Sequence, residues 1–266
     1  NSAVKGQDAV IHLACISNDP SFELNPKLGK SINFDSFEPM VKACVKKRIK
    51  LFIYASSSSV YGVKNEKNVH EDMSLEPLTD YSKYKAECEK VFKKYQNDNF
   101  TTVILRPATV CGFSSRQRMD VIVNLLTNQG FHLKKIKILG GEQLRPNIHI
   151  NDMVNAYMLL INAPRNLIAG EIFNVGYQNL TVNEIANSVK KTLDNKAQLK
   201  IEKSDDLRSY HISSNKIDNI LKFKPINSVE DAIKDLKKAF EKDLLPNSLN
   251  DEKYFNIKKF EKIKLI

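Results

Sequence analysis

Tyr81 and Lys85 are a pair of residues whose types and spacing could do chemistry. They lie four positions apart on a helix predicted over residues 81–95, so their side chains share one face of that helix. A lysine ammonium beside a phenol favours the phenolate, which would lower the tyrosine pKa towards working pH and make a general acid/base. The spacing alone carries little weight, because Tyr254 and Lys258 repeat it without supporting context.

A run of serines at positions 56–59 could supply a catalytic hydroxyl group. It directly follows a predicted strand over residues 51–55. In an open parallel sheet the ligand crevice lies at the carboxyl ends of the strands, so hydroxyls at this point would face a ligand. Taken alone, a serine run is equally typical of a flexible turn. Together with Tyr81 and Lys85, it favours an active site.

Elements that could position these residues follow from the hydrophobic pattern. Short apolar runs at 8–14, 50–55 and 101–106 predict buried parallel strands, and helical spacing over 36–47 and 81–95 predicts the crossover helices between them. The alternation predicts an α/β fold with a Rossmann-like doubly wound parallel sheet. Beyond Pro107 we predict helices over 119–129 and 151–162, strands over 136–139 and 172–175, and helices that begin with capping boxes at Thr181 and Ser228.

The composition narrows the class of protein. Apolar residues make up 42% and charged residues 27% of 266, which is typical of a folded soluble chain. No run approaches the roughly 18 apolar residues that a membrane helix needs, so we predict no membrane partner and a cytoplasmic protein. The cysteines have no metal-ligand spacing, which predicts small buried side chains and no metal site.

The net charge of +10 is of a size that nucleic-acid-binding proteins carry. Clustering of the basic residues decides between a nucleic-acid site and an ordinary surface. The lysines between positions 231 and 264 are interspersed with aspartate and glutamate, which is typical of a solvated helical face. We therefore predict no nucleic-acid partner.

Several motifs in order resemble those of the extended short-chain dehydrogenase/reductases, specifically the NAD-dependent epimerase/dehydratase group that acts on nucleotide sugars. The segments that carry the resemblance are the VIHLA strand at 10–14, the SSSSVYG loop at 56–62, the YSKYK helix at 81–85, LRPATVCG at 105–112, RPNIHIND at 145–152 and FNVG at 173–176. They cover nearly the whole chain.

The resemblance implies a role for individual positions. It implies that Ser57, Tyr81 and Lys85 are catalytic, and that Lys85 also binds the nicotinamide ribose. The positions implied to contact the NAD or NADP cofactor are Leu13, Ala14, Lys85 and Pro107. Those implied to contact the substrate are Ser58, Ser59, Asn33, Arg145 and Arg208. Because the group uses tyrosine as its acid/base, His12 and His149 are interpreted as structural.

The resemblance also implies two lobes. Residues 1–112 and 151–178 would form the nucleotide-binding lobe, and residues 113–150 and 179–266 a smaller α/β substrate-binding lobe. Members of the group open with a G-x-x-G-x-x-G turn whose helix binds the pyrophosphate. This sequence starts close to what resembles their fourth strand. We therefore expect it to lack the first strands and the residue that discriminates NAD from NADP.

The implied function is an NAD(P)-dependent nucleotide-sugar epimerase acting at the sugar C4. Tyr81 would remove the 4-hydroxyl proton while hydride passes to the nicotinamide, after which the keto-sugar turns over and receives the hydride on its other face. The 4,6-dehydratases of the group carry Thr-Asp-Glu where this chain has serines at 57–59, which disfavours a dehydratase.

Other functions remain open at this point. A nucleotide-sugar C4 oxidoreductase would use the same residues, and the chain could also be a catalytically inactive fragment. Atypical relatives that bind nucleic acid typically lose the tyrosine and the lysine, and this chain keeps both. The expected partners are a nucleotide-diphosphate sugar and, for the whole protein, a second copy in a homodimer.

Calorimetric titration of the 266-residue chain with NAD and with NADP tests the expectation about the missing turn. We expect no binding in the micromolar range, because amides at the first helix N-terminus supply most of the pyrophosphate's stabilisation in this fold. The whole protein that contains this chain is the control, and we expect it to bind. Micromolar binding by the 266-residue chain itself would contradict the expectation.

Overall fold

The computed structural model describes residues 2–204 and 209–262, and a parallel sheet lies at its centre. The strands are β1 (Ala9–His12), β2 (Leu51–Ala55), β3 (Thr101–Pro107), β4 (Thr109–Cys111), β5 (Lys135–Leu139), β6 (Leu144–His149), β7 (Ile172–Val175), β8 (Gln178–Thr181) and β9 (Gln198–Glu202). The central sheet has the order β1-β2-β3-β7, and each neighbouring pair is parallel. The carboxyl ends of these strands therefore meet at one edge.

Helices connect and cover the strands. They are α1 (Asp19–Glu23), α2 (Pro26–Lys30), α3 (Phe37–Lys46), α4 (Asp80–Lys93), α5 (Ile122–Leu133), α6 (Ile150–Asn162), α7 (Arg165–Ile168), α8 (Val182–Thr192), α9 (Asn215–Leu221), α10 (Val229–Glu241) and α11 (Asn256–Lys262). Asn18 and Asn25 cap α1 and α2, each with a proline in the first turn. Proline there costs no backbone hydrogen bond, because the first amides of a helix have no partner within it.

The central sheet is buried on both faces. Leu51 and Ile53 of β2 pack with α6 residues such as Ala156 on one face. Phe52 and Tyr54, which alternate with them, pack on the other face with α3 and α4. Alternate residues of a strand point to opposite faces, so a strand with helices on both sides reads as a continuous apolar run.

Parts of the chain beyond β3 form two further sheets and a separate core. One sheet has the order β4-β6-β8, with β6 and β8 antiparallel, and the other pairs β5 with β9 in parallel. Apolar residues of α5, α8 and α10 pack on Ile136 and Ile138, the inward-facing residues of β5. This second core lies apart from the core of the central sheet, since the two share no buried residue.

The predicted α/β class with a doubly wound parallel sheet is confirmed. Several helices and strands begin or end at residues other than the predicted ones. The helix predicted over 36–47 is α3, and a π-helical segment, Ser31–Asp35, leads directly into it. The helix predicted over 119–129 begins later and ends later, as α5. Both predicted capping boxes are present, at Thr181 and at Ser228. The sequence prediction missed β4, β6, β8, β9 and several short helices.

A buried ion pair joins α4 to β3. Arg106 Nε and Nη2 donate to the two carboxylate oxygens of Glu89 at 3.0 and 2.7 Å, and each side chain is 2% exposed. The same guanidinium donates through Nη1 to the Tyr61 hydroxyl at 2.7 Å and to the Glu71 carbonyl at 3.0 Å. Tyr61 in turn donates to Asn174 of β7 at 2.8 Å. Hydrogen bonds of the Arg106 side chain therefore connect β3 to α4 and to the loop that contains Glu71. Tyr61 extends this network to β7.

Glu89→Gln should lower the free energy of unfolding by about 3 kcal/mol or more, because it leaves the buried Arg106 charge without its counterion. Glu87→Gln, two residues away on the same helix, is the matched control, since Glu87 pairs with Lys90 at an exposed site. We expect the control to change stability by less than about 0.5 kcal/mol. Urea denaturation measures both values, and equal losses would contradict the assigned role of the buried pair.

Candidate active site

A cleft of about 520 Å³ opens at the carboxyl ends of β2 and β3. The loop after β1, the serine run, the start of α4 and the chain after β3 all contribute to it. Its described lining comprises Ser17, Asn18, Asp19, Ser56, Ser57, Ser58, Ser59, Tyr81, Pro107, Ala108, Thr109, Val110, Cys111, Gly112, Ser114, Arg116, Arg118, Asp120, Val121, Ile122, Asn124, Leu125, Arg145, Ile150 and Tyr210. The cleft lies where an open parallel sheet binds its ligands.

The serine run is a fixed turn in this structure. The Ser56 amide donates to the Leu105 carbonyl at 2.7 Å, which ties the end of β2 to β3. Ser57 then caps a 3₁₀ turn, and its Oγ lies 2.8 Å from Ser59 Oγ. Gly62 ends the turn with φ of 67°, and a Cβ at this position would lie 2.1 Å from the Glu76 carbonyl oxygen. Only glycine fits there, so the turn that begins after Ser57 ends at a close backbone contact with Glu76.

Tyr81 lies in the first turn of α4, and its position depends on the helix cap. Thr79 is the N-cap, and its hydroxyl accepts from the Ser82 amide while Ser82 Oγ accepts from the Thr79 amide. Such reciprocal capping satisfies backbone donors that the helix leaves without partners. The Tyr81 phenol and the Ser57 hydroxyl both line the cleft, and the hydroxyl is close enough to the phenol to lower its pKa. The structure therefore brings together the predicted catalytic serine and tyrosine.

Lys85 lies one turn further along α4, beneath the cleft. It is 5% exposed, and its Nζ donates to the Ala55 carbonyl at 2.6 Å. The same Nζ lies 5.8 Å from the Tyr81 ring centroid and 5.0 Å from that of Tyr54. Burial within a polar and aromatic cage holds the ammonium close to Tyr81.

The electrostatic expectation for Tyr81 is wrong for this structure. Burial raises the pKa of the Tyr81 phenol well above its ordinary value, and Cys15 and Asp19 raise it further. Arg118 and the Ser57 hydroxyl lower this pKa, but their effect is smaller than that of burial. Desolvation disfavours the phenolate more strongly than the nearby Arg118 favours it, so the phenol keeps its proton to a higher pH than an exposed tyrosine.

The carboxyl edge of the sheet fits the nicotinamide end of the implied cofactor. Leu13 is 57% exposed and Ala14 is exposed beside it, so they offer apolar surface to a flat ring. Pro107 lines the cleft, and the Ser56 hydroxyl is buried without a hydrogen-bond partner. Lys85 has three N–H donors, of which Ala55 occupies one. These groups would face a nicotinamide riboside.

Asn33, predicted to contact the substrate, does not line the cleft. It is 6% exposed, and its carboxamide accepts from the Ile16 amide at 2.8 Å and donates to the Ile16 carbonyl at 2.9 Å. The side chain is therefore occupied with fixing the loop after β1. The residues that follow Ile16 include Ser17 and Asp19, which line the cleft. Asn33 therefore supports the site by fixing this loop and does not line the cleft itself.

The remaining predicted substrate contacts divide into two groups. Ser58, Ser59 and Arg145 all line the cleft, and Arg145 Nη1 donates to the Leu144 carbonyl at 2.9 Å. Arg208 lies outside the described residues. Substrate contact by each of these positions remains a prediction.

Charged residues that the sequence prediction missed complete the cleft. Arg118 Nε donates to Asp120 at 2.8 Å, and Arg118 Nη1 lies 3.4 Å from Ser17 Oγ. The Asn256 side chain donates to Ser17 Oγ at 3.1 Å and accepts from Arg116 at 3.2 Å. Residues more than one hundred positions apart meet here, so no local sequence signal could have revealed the arrangement.

Of the two histidines interpreted as structural, His149 is buried and His12 is half-buried. His12 stacks on Tyr54 with ring centroids 6.1 Å apart and also contacts Phe37. Burial, with a smaller contribution from Lys85, lowers its pKa to about 4, so it is neutral at physiological pH. His149 is 2% exposed, and its Nδ1 accepts from the Asn151 amide at 3.1 Å, which caps α6.

Two searches of the described residues gave no candidates. No group of three or more histidine, cysteine, aspartate or glutamate side chains within 2–204 and 209–262 could hold a metal ion. In the same ranges no helix is both long and apolar enough to cross a membrane.

The family pattern of the NAD dependent epimerase/dehydratase family matches residues 2–176, well over half of the chain. The chain belongs to this family. The predicted relationship is thereby confirmed, and so is the predicted class of NAD-dependent enzyme at the level of the epimerase/dehydratase family. The match spans the strand at 10–14, the serine loop at 56–62 and the tyrosine helix at 81–85.

Individual members of the epimerase/dehydratase family resemble the chain to different extents. It is 34% identical over 180 residues to YtcB, an uncharacterized UDP-glucose epimerase of Bacillus subtilis (strain 168), covering 66% of this chain and 55% of that protein. It is 25% identical over 249 residues to a UDP-glucose 4-epimerase of Lactobacillus helveticus, covering 85% of this chain and 74% of that protein. The chain thus spans little more than half of the first relative.

A solved structure supports the same relationship. A UDP-glucuronic acid 4-epimerase from Bacillus cereus, in complex with UDP-glucuronic acid and NAD, matches with a TM-score of 0.78 and 26% identity. The match covers 88% of this chain and 76% of that one. The predicted nicotinamide cofactor is therefore confirmed for the epimerase/dehydratase family.

Thiol labelling tests the burial described for the cysteines. Cys44, Cys88 and Cys111 are buried, and burial raises the pKa of each thiol, to about 12 for Cys88 and Cys111. Cys15 is partly exposed and lies near Tyr81. Because the thiolate is the reactive species, we expect a disulfide reagent at about pH 8 to modify one thiol per folded chain rapidly.

Cys15→Ser should abolish the rapid phase of this labelling, whereas Cys44→Ser should leave it unchanged. Absorbance of the released thiol measures both. Two or more rapidly reacting thiols in the folded chain would show that the packing described around the buried cysteines is wrong.

Proposed function

We propose that the whole protein containing this chain is an NAD(P)-dependent nucleotide-sugar 4-epimerase, with Tyr81 as its acid/base. The observation that carries this proposal is the meeting of Ser57 and Tyr81 in the lining of one cleft, with the Lys85 ammonium 5.8 Å from the Tyr81 ring centroid. Side chains in this arrangement can accept a proton from a bound hydroxyl group and return it.

Each of the three side chains has a distinct part in the proposed reaction. Tyr81 takes the proton of the sugar 4-hydroxyl and later returns it. Ser57 holds that hydroxyl in line, since its own Oγ is fixed by Ser59. Lys85 uses its two remaining donors for ribose hydroxyls of the cofactor. When bound, the nicotinamide supplies the chemistry of accepting and returning hydride.

The charge of the cleft supports a nucleoside diphosphate group as part of the substrate. Arg116, Arg118 and Arg145 line it, against Asp19 and Asp120 as the acidic residues of the described lining. A guanidinium can bond two oxygens of a phosphate at once, which suits a diphosphate. Relatives of the chain are named for UDP-glucose or UDP-glucuronic acid, so a UDP-sugar is the first candidate substrate.

We further propose that residues 113–150 and 179–266 act as the substrate-binding lobe. Arg116, Arg118 and Arg145 belong to it, whereas Ser57 and Tyr81 belong to the nucleotide-binding lobe. The cleft would then lie between the part that holds the cofactor and the part that holds the sugar nucleotide.

Product analysis separates epimerisation from net oxidation. The whole protein is incubated with NAD and UDP-glucose, or with UDP-glucuronic acid, and the sugar nucleotides are resolved by chromatography. A 4-epimer formed without net change of NAD supports the proposal. A free keto-sugar formed together with stoichiometric NADH would contradict it and favour the C4 oxidoreductase.

Tyr81→Phe should lower kcat in this assay by about two orders of magnitude or more, because it removes the group that carries the proton. Tyr254→Phe is the matched control, since Tyr254 precedes Lys258 with the same spacing but packs in a buried cluster with Met119 and Phe240 and does not line the cleft. We expect the control to keep a near-wild-type kcat. Equal effects of the two substitutions would sink the assignment of Tyr81.

A further inference from the structure

One buried asparagine, Asn256, is hydrogen-bonded to cleft residues from distant parts of the chain. It is the first residue of α11 and is 5% exposed, and it does not belong to the described lining of the cleft. We propose that Asn256 is a positioning residue for substrate binding, which holds Arg116 and the loop at Ser17 in the geometry that receives the diphosphate group. The inference rests on the proposed function, in which the cleft arginines bind that group.

The polar groups of Asn256 each bond a different residue of the cleft. Its Oδ1 accepts from Arg116 Nη2 at 3.2 Å, and its Nδ2 donates to Ser17 Oγ at 3.1 Å. Its backbone amide donates to Asp120 Oδ2 at 3.1 Å, and Asp120 in turn accepts from Arg118 Nε at 2.8 Å. A guanidinium has donors only, so the carboxamide oxygen must face Arg116. The side chain therefore cannot rotate without losing both of its bonds.

Arg116 is the cleft residue that depends most on this contact. It is exposed, so its long side chain would otherwise sample many conformations. Its Nη1 donates to the Gln117 carbonyl at 3.2 Å, and together with the bond to Asn256 this fixes both ends of the guanidinium. The group has further N–H donors for phosphate oxygens. An arginine that is already held where a phosphate arrives loses less freedom on binding, so the complex is tighter.

The second side-chain bond of Asn256 restrains a strained loop. Asn18, between Ser17 and Asp19, has φ of 73° and ψ of 155°, a backbone conformation that residues with a Cβ rarely adopt. Contacts hold the loop on both sides of Asn18, because Asn256 donates to Ser17 and the Thr79 hydroxyl donates to Asp19. Strained backbone persists only where its surroundings fix it. Loss of the Asn256 bond would therefore let Ser17 move from its place in the cleft lining.

These contacts predict a loss of substrate affinity with little loss of turnover when the Asn256 side chain is removed. Its hydrogen bonds lead to residues that would bind the diphosphate and not to Ser57 or Tyr81, so the groups that move the proton keep their positions. An interaction made equally with the bound substrate and with the transition state changes KM and leaves kcat unchanged.

Steady-state kinetics of the whole protein with NAD and UDP-glucose give the first test. Asn256→Ala keeps the backbone amide and removes both side-chain bonds. We expect KM to rise about tenfold, the size expected for a lost hydrogen bond to a charged group, and kcat to change by less than about twofold. Asn250→Ala is the matched control, since Asn250 is exposed and its side chain donates to Asn247. The control should leave KM and kcat unchanged.

Calorimetric titration with UDP tests whether Asn256 acts through Arg116. The wild type is compared with Asn256→Ala, Arg116→Met and the double variant, each in the whole protein. We expect each single substitution to raise the Kd for UDP about tenfold. Adding Asn256→Ala to Arg116→Met should raise it by less than about threefold more, because the side chain to be positioned is then already absent.

The outcomes separate this inference from the function on which it rests. Absence of a 4-epimer would overturn the proposed function, whereas the UDP titration needs no turnover and decides the inference by itself. Unchanged UDP binding in Asn256→Ala, an equal loss with and without Arg116, or no UDP binding by the wild type would overturn the inference. A lower kcat at unchanged KM would show a merely structural role and contradict it as well. Thermal unfolding checks each variant, and Asn256→Ser, too short to bond Arg116 and Ser17 together, replaces Asn256→Ala if the latter does not fold.

Discussion

The buried pairing of Arg106 with Glu89 is the interaction on which the arrangement of the site depends. Through Glu89 it fixes α4, which carries Tyr81 and Lys85, and through Tyr61 it fixes the end of the serine turn. The backbone of Arg106 belongs to β3, and the next residue, Pro107, lines the cleft. Both partners are almost fully buried, so the pair is stable only while every donor is satisfied. The geometry of the cleft therefore depends on a buried network in which Arg106, Glu89 and Tyr61 do not line the cleft themselves.

Much of the fold could be predicted because local sequence patterns indicate its strands and helix starts. Apolar runs marked β1, β2, β3 and β7, since strands covered on both faces carry few polar residues. Capping boxes at Thr181 and Ser228 marked the starts of α8 and α10. The short helices α1 and α2 were missed although their signal was present, an asparagine cap followed by proline in the first turn.

Other features could not be predicted, because they arise from contacts between distant parts of the chain. Ser57, Tyr81 and Lys85 could be proposed from a family motif, but the high pKa of Tyr81 follows from burial that spacing does not encode. Asn33 matched a family position near the site, yet its carboxamide is used to fix Ile16. Asp19 and Arg118 reach the cleft only through tertiary packing. Type and spacing can nominate catalytic groups, whereas their electrostatic setting is a property of the folded chain.

The rigid end of the serine turn has a consequence for how this site can vary between proteins. Gly62 packs against the Glu76 carbonyl, and the Glu76 amide donates to the Val60 carbonyl at 3.1 Å. The loop between them is anchored again at Val69, whose carbonyl accepts from Ser213 at 2.8 Å. Residues 63–68 thus form a mostly exposed loop whose ends are held by the backbone contacts of Gly62 and Val69. Insertions at the exposed positions 65–68 would change the rim of the molecule, because the backbone contacts at Gly62 and Val69 separate them from the serine turn.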